Sequence, residues 1–165
     1  NSLILPRITY AIASWGNIKN KEMNRLIKLQ KKAIWLVCKS KYNSHTDPLF
    51  NQNKLLKLQD IYHIACIKIF LRYQTNILPP YLASKLATNL EVHSYNARQN
   101  REIHSMPITT KLEEQLINYK ISTIWNNLPH NNKTTASLST DTLKKSFLSK
   151  YQENCHIVNC YICKQ

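Results

Sequence analysis

Apolar positions recur along this chain at helical rather than alternating spacing. Ile4, Ile8, Ile12 and Trp15 fall at i, i+4, i+8 and i+11, which predicts a first helix from Leu3 to Trp15. Pro6 suits its first turn, and Gly16-Asn17 reads as its C-terminal stop. A second helix is predicted from Lys21 to Cys38. Wound at about 100° per residue, Met23, Leu26, Ile27, Ala33, Ile34, Val37 and Cys38 share one side. Lys21, Arg25, Lys28, Lys32 and Lys39 form a narrow stripe opposite. Gln30 sits inside the apolar arc, so it should be buried and hydrogen-bonded. Trp35 lies outside that arc, beside the stripe.

Asn43 to Pro48 reads as a loop, punctuated by Asp47-Pro48. A third helix is expected from about Lys54 to Tyr73. Its apolar residues, Ile61, Ile64, Ile67, Ile69, Phe70 and Leu71, surround the axis, the pattern of a helix buried between neighbours. Pro79-Pro80 interrupts the chain, and the polar stretch Ala87 to Pro107 reads as loop and as a domain boundary. Thr110 and Glu113 have capping-box spacing. They open a fourth helix with the stripe Ile117, Ile121, Ile124, Trp125 and Leu128, closed by Pro129. Asn131 to Thr142 reads as a linker, and Leu143, Phe147, Leu148 and Tyr151 mark a fifth helix. The expected fold is therefore all-α. A helical bundle occupies residues 1–75, mostly loop 76–109, a helical C-terminal extension 110–152 and a Cys-rich tail 153–165. Trp15, Ile34 and Leu71 should lie in the core.

Composition sharpens this picture. The 165 residues contain one glycine, Gly16, against an ordinary usage of about 7%. Hairpin-rich sheets and phosphate-cradling Gly loops both need more, so P-loop and Rossmann chemistry are excluded. The net charge is +14, which points to a polyanionic partner, nucleic acid above all. A solvated Lys-rich surface is the alternative, since Lys outnumbers Arg 18 to 5. No apolar run reaches the roughly 18 residues of a membrane span, and Ile64 to Leu71 is broken by Lys68. Five cysteines without a signal layout suit a reducing compartment. The chain opens at Asn1 within two residues of an apolar helical pattern, as a piece of a longer protein would.

Several ordered stretches resemble the C-terminal part of non-LTR retrotransposon reverse transcriptases of the jockey and LINE type. They are SLILPRITYAIASWGN (Ser2 to Asn17), LIKLQKKAIWLVC (Leu26 to Cys38), YNSHTDPLF (Tyr42 to Phe50), LLKLQDIY (Leu55 to Tyr62), ISTIWNNLP (Ile121 to Pro129) and TLKKSFLSKY (Thr142 to Tyr151). The resemblance covers nearly the whole chain. It implies a helical thumb and post-thumb region, downstream of a palm domain that would be a partner. The parent enzyme, an RNA-directed DNA polymerase, would act on RNA and DNA, and its compartments would be nucleus and cytoplasm. Mg²⁺ belongs to the palm carboxylates in that family. This chain has nine scattered acids, of which only Glu113-Glu114 are adjacent. A two-metal site for nucleotidyl transfer is therefore not expected here, and no cofactor is expected apart from a possible tail metal.

The candidate sites follow. The stripe Lys21, Arg25, Lys28, Lys32 and Lys39 can grip an RNA–DNA hybrid duplex by its phosphates, which takes cations and no base code. Its bland alternative is a solvated face. Glu22 is the one acid between Asn1 and Thr46. Trp35 can stack on a nucleotide or pack on the following helix, and packing is favoured. His45 and Thr46 read as caps rather than catalysts. Cys155, His156, Cys160 and Cys163 approach the spacing of a tetrahedral Zn²⁺ site. Adjacent Cys155 and His156 cannot easily face one ion, so free thiols are favoured. A freestanding nucleic-acid-binding module derived from a retroelement, and a zinc-dependent interaction tail on a helical scaffold, are the alternatives to a polymerase fragment.

Overall fold

The computed structural model describes residues 4–42, 44–93, 102–128, 133 and 139–153. The described residues are helical and contain no strand. One isolated antiparallel bridge joins Thr88 to Ile103. In chain order the helices are α1 (Ile4–Thr9), α2 (Ile12–Trp15), α3 (Asn20–Val37), α4 (Thr46–Gln52), α5 (Leu58–Gln74), α6 (Pro80–Ala83), α7 (Asn89–Val92), α8 (Ile117–Asn126) and α9 (Thr140–Glu153). A 3₁₀ turn, Glu113–Gln115, precedes α8. The all-α expectation is met. No described helix is long and apolar enough to cross a membrane. The chain forms two compact units. One comprises Asn1–Asn17 with His63–Thr134, the other Ile18–Tyr62 with Thr135–Gln165.

In the first unit the expected opening helix is broken. Ala11 takes a left-handed φ of 48° between α1 and α2, and the indole Nε1 of Trp15 donates to the freed Tyr10 carbonyl at 2.8 Å. That use of its polar edge leaves Trp15 only half-buried, whereas Ile12 is buried. The Trp125 ring meets Phe70 with centroids 4.5 Å apart. Ile64, Cys66, Ile67, Phe70, Ile121 and Trp125 are all buried. The last helical stretch of α5 is not buried all round. Lys68 and Arg72 are exposed and Leu71 is half-buried, because the two cations hold one side in water.

The stretch 87–107, expected as loop, carries α7. A capping box opens that helix, with the Thr88 N–H donating to Glu91 at 2.6 Å. Asn126 binds the backbone of Ile103 twice, accepting its N–H at 3.0 Å and donating to its carbonyl at 2.9 Å. Ile103 is thereby fixed in a buried position. The Thr110–Glu113 cap forms as expected, with the Thr110 N–H 3.0 Å from the Glu113 carboxylate. It opens only the 3₁₀ turn, since Leu116 is extended (ψ 140°) and α8 starts afresh after it.

In the second unit, α4 packs against both α3 and α9. Its core holds Ile34, Leu49, Phe50 and Tyr151, flanked by Trp35, Cys38, Leu55, Leu56 and Leu148. Gln30 finds the partner its position demanded. Its amide donates to the Leu56 carbonyl at 2.9 Å and accepts from the Leu58 N–H at 3.0 Å. These two bonds fix the rotation of α3 about its axis. The inward arc is Met23 and Ile34, both buried, with Ile27 and Gln30 half-buried, and the predicted apolar members Leu26, Ala33 and Val37 are exposed instead.

A chain nearly without glycine must end its helices otherwise. Gly16 caps α2 in a right-handed conformation. The left-handed positions after α3, α4 and α5 are taken by Lys39, Lys54 and Asn76, at φ 50°, 52° and 56°. Each closes a Schellman pair of bonds, as in Ser40 N–H to Trp35 O at 3.0 Å and Leu55 N–H to Phe50 O at 2.9 Å. A left-handed non-Gly residue costs about 1–2 kcal/mol, and glycine's extra chain entropy about 0.5–1 kcal/mol. Lys54→Gly should therefore raise stability modestly, read as a higher urea midpoint with an unchanged slope. A lower midpoint would contradict the assigned strain.

Candidate nucleic-acid interface

The stripe forms because α3 is long enough to align its cations. From Lys21 to Lys32 the axial rise is about 16 Å, and Lys21, Arg25, Lys28 and Lys32 fall within one narrow arc. All four are exposed, as is Lys39 just past the helix end. The direction of Lys39 is set by the left-handed cap. Arg25 carries an ion pair with Glu22 at 3.0 Å, both side chains largely in solvent. A surface pair of this kind is worth little, about 0.2–1 kcal/mol, and releases Arg25 readily. Lys21 stands in the first helical turn, where the helix dipole disfavours a cation. α3 thus carries positive charge where helix stability alone would put acid.

Glu22 engages one stripe cation, Arg25, and the acids of α4 and the start of α5 are committed elsewhere. Asp47 pairs with Lys57 at 2.8 Å, with both side chains largely buried. Asp60 accepts a hydrogen bond from the Tyr151 hydroxyl, and that hydroxyl accepts the Lys57 N–H at 3.0 Å. The Lys57 ammonium also lies 4.7 Å from the Tyr151 ring centre. Burial, reinforced by the Asp60 charge, pushes the Tyr151 phenol far above its ordinary range. This cluster was not anticipated from the sequence. Its members lie up to 104 positions apart, and no local pattern links them.

Trp35 is half-buried. Its Nε1 donates to the Ser44 carbonyl at 2.9 Å, and its ring sits 5.1 Å from Tyr42 at a 59° tilt. Tyr42 is the exposed partner of that pair. His45 is the residue before α4 and makes no side-chain cap. Its Nδ1 is buried without a partner, and Thr46 is buried.

Among the described residues no group of three or more His, Cys, Asp or Glu could hold a metal ion. Cys155, His156, Cys160 and Cys163 lie outside the described residues. Cys66 is buried, and Cys38 is half-buried and accepts a hydrogen bond from the Asn53 amide at 3.2 Å.

The first unit holds a pocket of about 240 Å³ lined in part by Lys85, Leu86, His104, Glu113, Tyr119 and Ser122. The carboxylate of Glu113 is already committed to Thr109 and Thr110. Those bonds, the Thr109 N–H first, hold its carboxyl below the usual range. Comparison with protein-family models, with curated proteins and with solved structures finds no match to this chain.

Proposed function

We propose that this chain is a noncatalytic, nucleic-acid-binding segment of a non-LTR retrotransposon RNA-directed DNA polymerase. In that reading it grips the RNA–DNA template–primer duplex with α3 and works beside a palm domain of the parent protein. The observation that carries the proposal is the exposed cation stripe of α3, in which Arg25 pairs with Glu22 and none of the described ion pairs engages Lys21, Lys28, Lys32 or Lys39. The ordered sequence stretches that resemble this family support it. Phosphate contacts of this kind set register and affinity and leave sequence unread.

Four of the described acids already have partners. Asp47 holds Lys57, Asp60 holds Tyr151, Glu91 caps α7 and Glu113 caps the 3₁₀ turn. No nucleotidyl-transfer step is assigned to them. The test has two arms. Fluorescence anisotropy on RNA–DNA hybrids of unrelated sequence should give equal affinities at a given salt. Primer extension with purified protein, Mg²⁺ and dNTPs should give no product. A strong preference for one sequence, or template-dependent products that survive stringent purification, sinks the proposal.

A further inference from the structure

We propose that α3 carries a second binding surface beside the stripe, an apolar seam that receives an acidic amphipathic helix of a partner protein. The seam is Leu26, Leu29, Ala33 and Leu36, at spacings of three, four and three. That is the a/d repeat of a coiled-coil face. None of these four is covered. Leu29 is 61% exposed, Leu36 79% and Leu26 37%, and Val37 at the edge is 75% exposed. The adjoining arc of the same helix, which carries Met23 and Ile34, is buried. The helix therefore has two apolar sides, and its own fold uses one.

Charge selects the occupant. With Leu26 and Ala33 at a and Leu29 and Leu36 at d, the g positions within α3 are Arg25 and Lys32, and Lys39 follows just past the helix end. The e positions are Met23, Gln30 and Val37. Both g positions within the helix are cations, and those flanking residues set partner choice in helix pairs. A second copy of this chain fits poorly. An antiparallel pair would set g cations against g cations, and a parallel pair would leave them unpaired, with +14 on each chain. A bilayer surface fits less well than a helix. The cations border the seam on one side only, and Met23 and Gln30 on the other side are turned into the protein. Ala33 in mid-seam permits close approach of a single helix. The matching partner presents Leu-type residues in heptad spacing with Glu or Asp along one flank.

This surface borders the stripe and shares cations with it, but its Leu anchors are uncharged, so the Leu variants test it separately from duplex binding. Lys21 and Lys28 lie at c positions, away from the seam. The test uses the full chain and two three-heptad peptides with Leu at a and d. One carries Glu at e and g, its twin Lys. By fluorescence anisotropy the Glu peptide should bind, and the Lys twin should not. Leu29→Gln with Leu36→Gln should weaken the Glu peptide about tenfold or more, with an unchanged helical circular dichroism spectrum. Lys32→Ala should weaken it less, and Lys21→Ala not at all. The double Leu variant should keep the duplex salt dependence of the parent chain. The inference is overturned if the Glu peptide fails to bind by about 100 μM, if both peptides bind equally, or if the Leu variant binds as well as the parent. Without peptide binding, Leu-dependent binding to phosphatidylcholine–phosphatidylserine vesicles would overturn it for a bilayer, and Leu-dependent self-association for a second copy.

Discussion

Tyr151→Ala should lower the unfolding free energy by about 3–5 kcal/mol, the range for truncating a fully buried aromatic. Tyr151 is 3% exposed and sits in the core under α3. Its ring meets Phe50 edge-on with centroids 6.3 Å apart and supports the Lys57 ammonium. Its hydroxyl joins the Lys57 N–H to Asp60. Tyr151→Phe keeps the ring and strands those two groups, so it should cost less, about 1–3 kcal/mol. The pH dependence follows from the raised phenol. A folded pKa above the unfolded value of about 10 means a contribution fully present below pH 10 and lost as pH rises beyond it. The parent chain should therefore lose stability above about pH 10 faster than Tyr151→Phe does. The Tyr73 phenol, pushed up to about 12 by burial and by Glu91, remains in both proteins, so the comparison isolates Tyr151. Urea midpoints by circular dichroism at neutral and alkaline pH read both effects. An Ala variant costing under about 1 kcal/mol would mean α9 does not pack as described.

The sequence declared the helices far better than it declared their faces. Ile121 and Trp125, and Leu143, Phe147 and Tyr151, repeat every four residues and are buried as expected. A helix with one apolar side leaves its partner no choice. α3 offers two apolar sides, and composition alone weights Leu26, Val37 and Ala33 like Met23 and Ile34. The choice between them is made by Gln30 reaching the backbone of Leu56 and Leu58, a contact 26 and 28 positions away. Helix breaks were equally invisible. Ala11 and Leu116 are good helix formers, and the break at Ala11 is compensated by a side-chain bond, from Trp15 to the Tyr10 carbonyl, that helical propensity does not register. The stripe itself was legible. The four cations within α3 need no tertiary information to share a face, and burial of the opposite arc then points them outward, while Lys39 follows in a left-handed turn past the helix end.

Lys28→Ala combined with Lys32→Ala should flatten the salt dependence of duplex binding by about two units of log K against log [salt]. On duplex DNA each neutralised phosphate contributes a slope near −0.9. Four free stripe cations, Lys21, Lys28, Lys32 and Lys39, would give roughly −3 to −4. Arg25 adds less while it holds Glu22. From 50 to 200 mM salt the parent chain should then lose affinity about a hundredfold, and the double variant only about tenfold. The helix should survive the change, because both side chains are exposed and Ala has the higher helix propensity. Trp35→Ala should leave the slope alone. Its indole carries no charge and is committed to the Ser44 carbonyl and the core, so its loss should appear in stability. Fluorescence anisotropy on a short RNA–DNA hybrid across a salt series measures all three proteins. An unchanged slope in the double Lys variant would make the stripe a solvated face, and the charge of +14 would then have to meet its polyanion elsewhere.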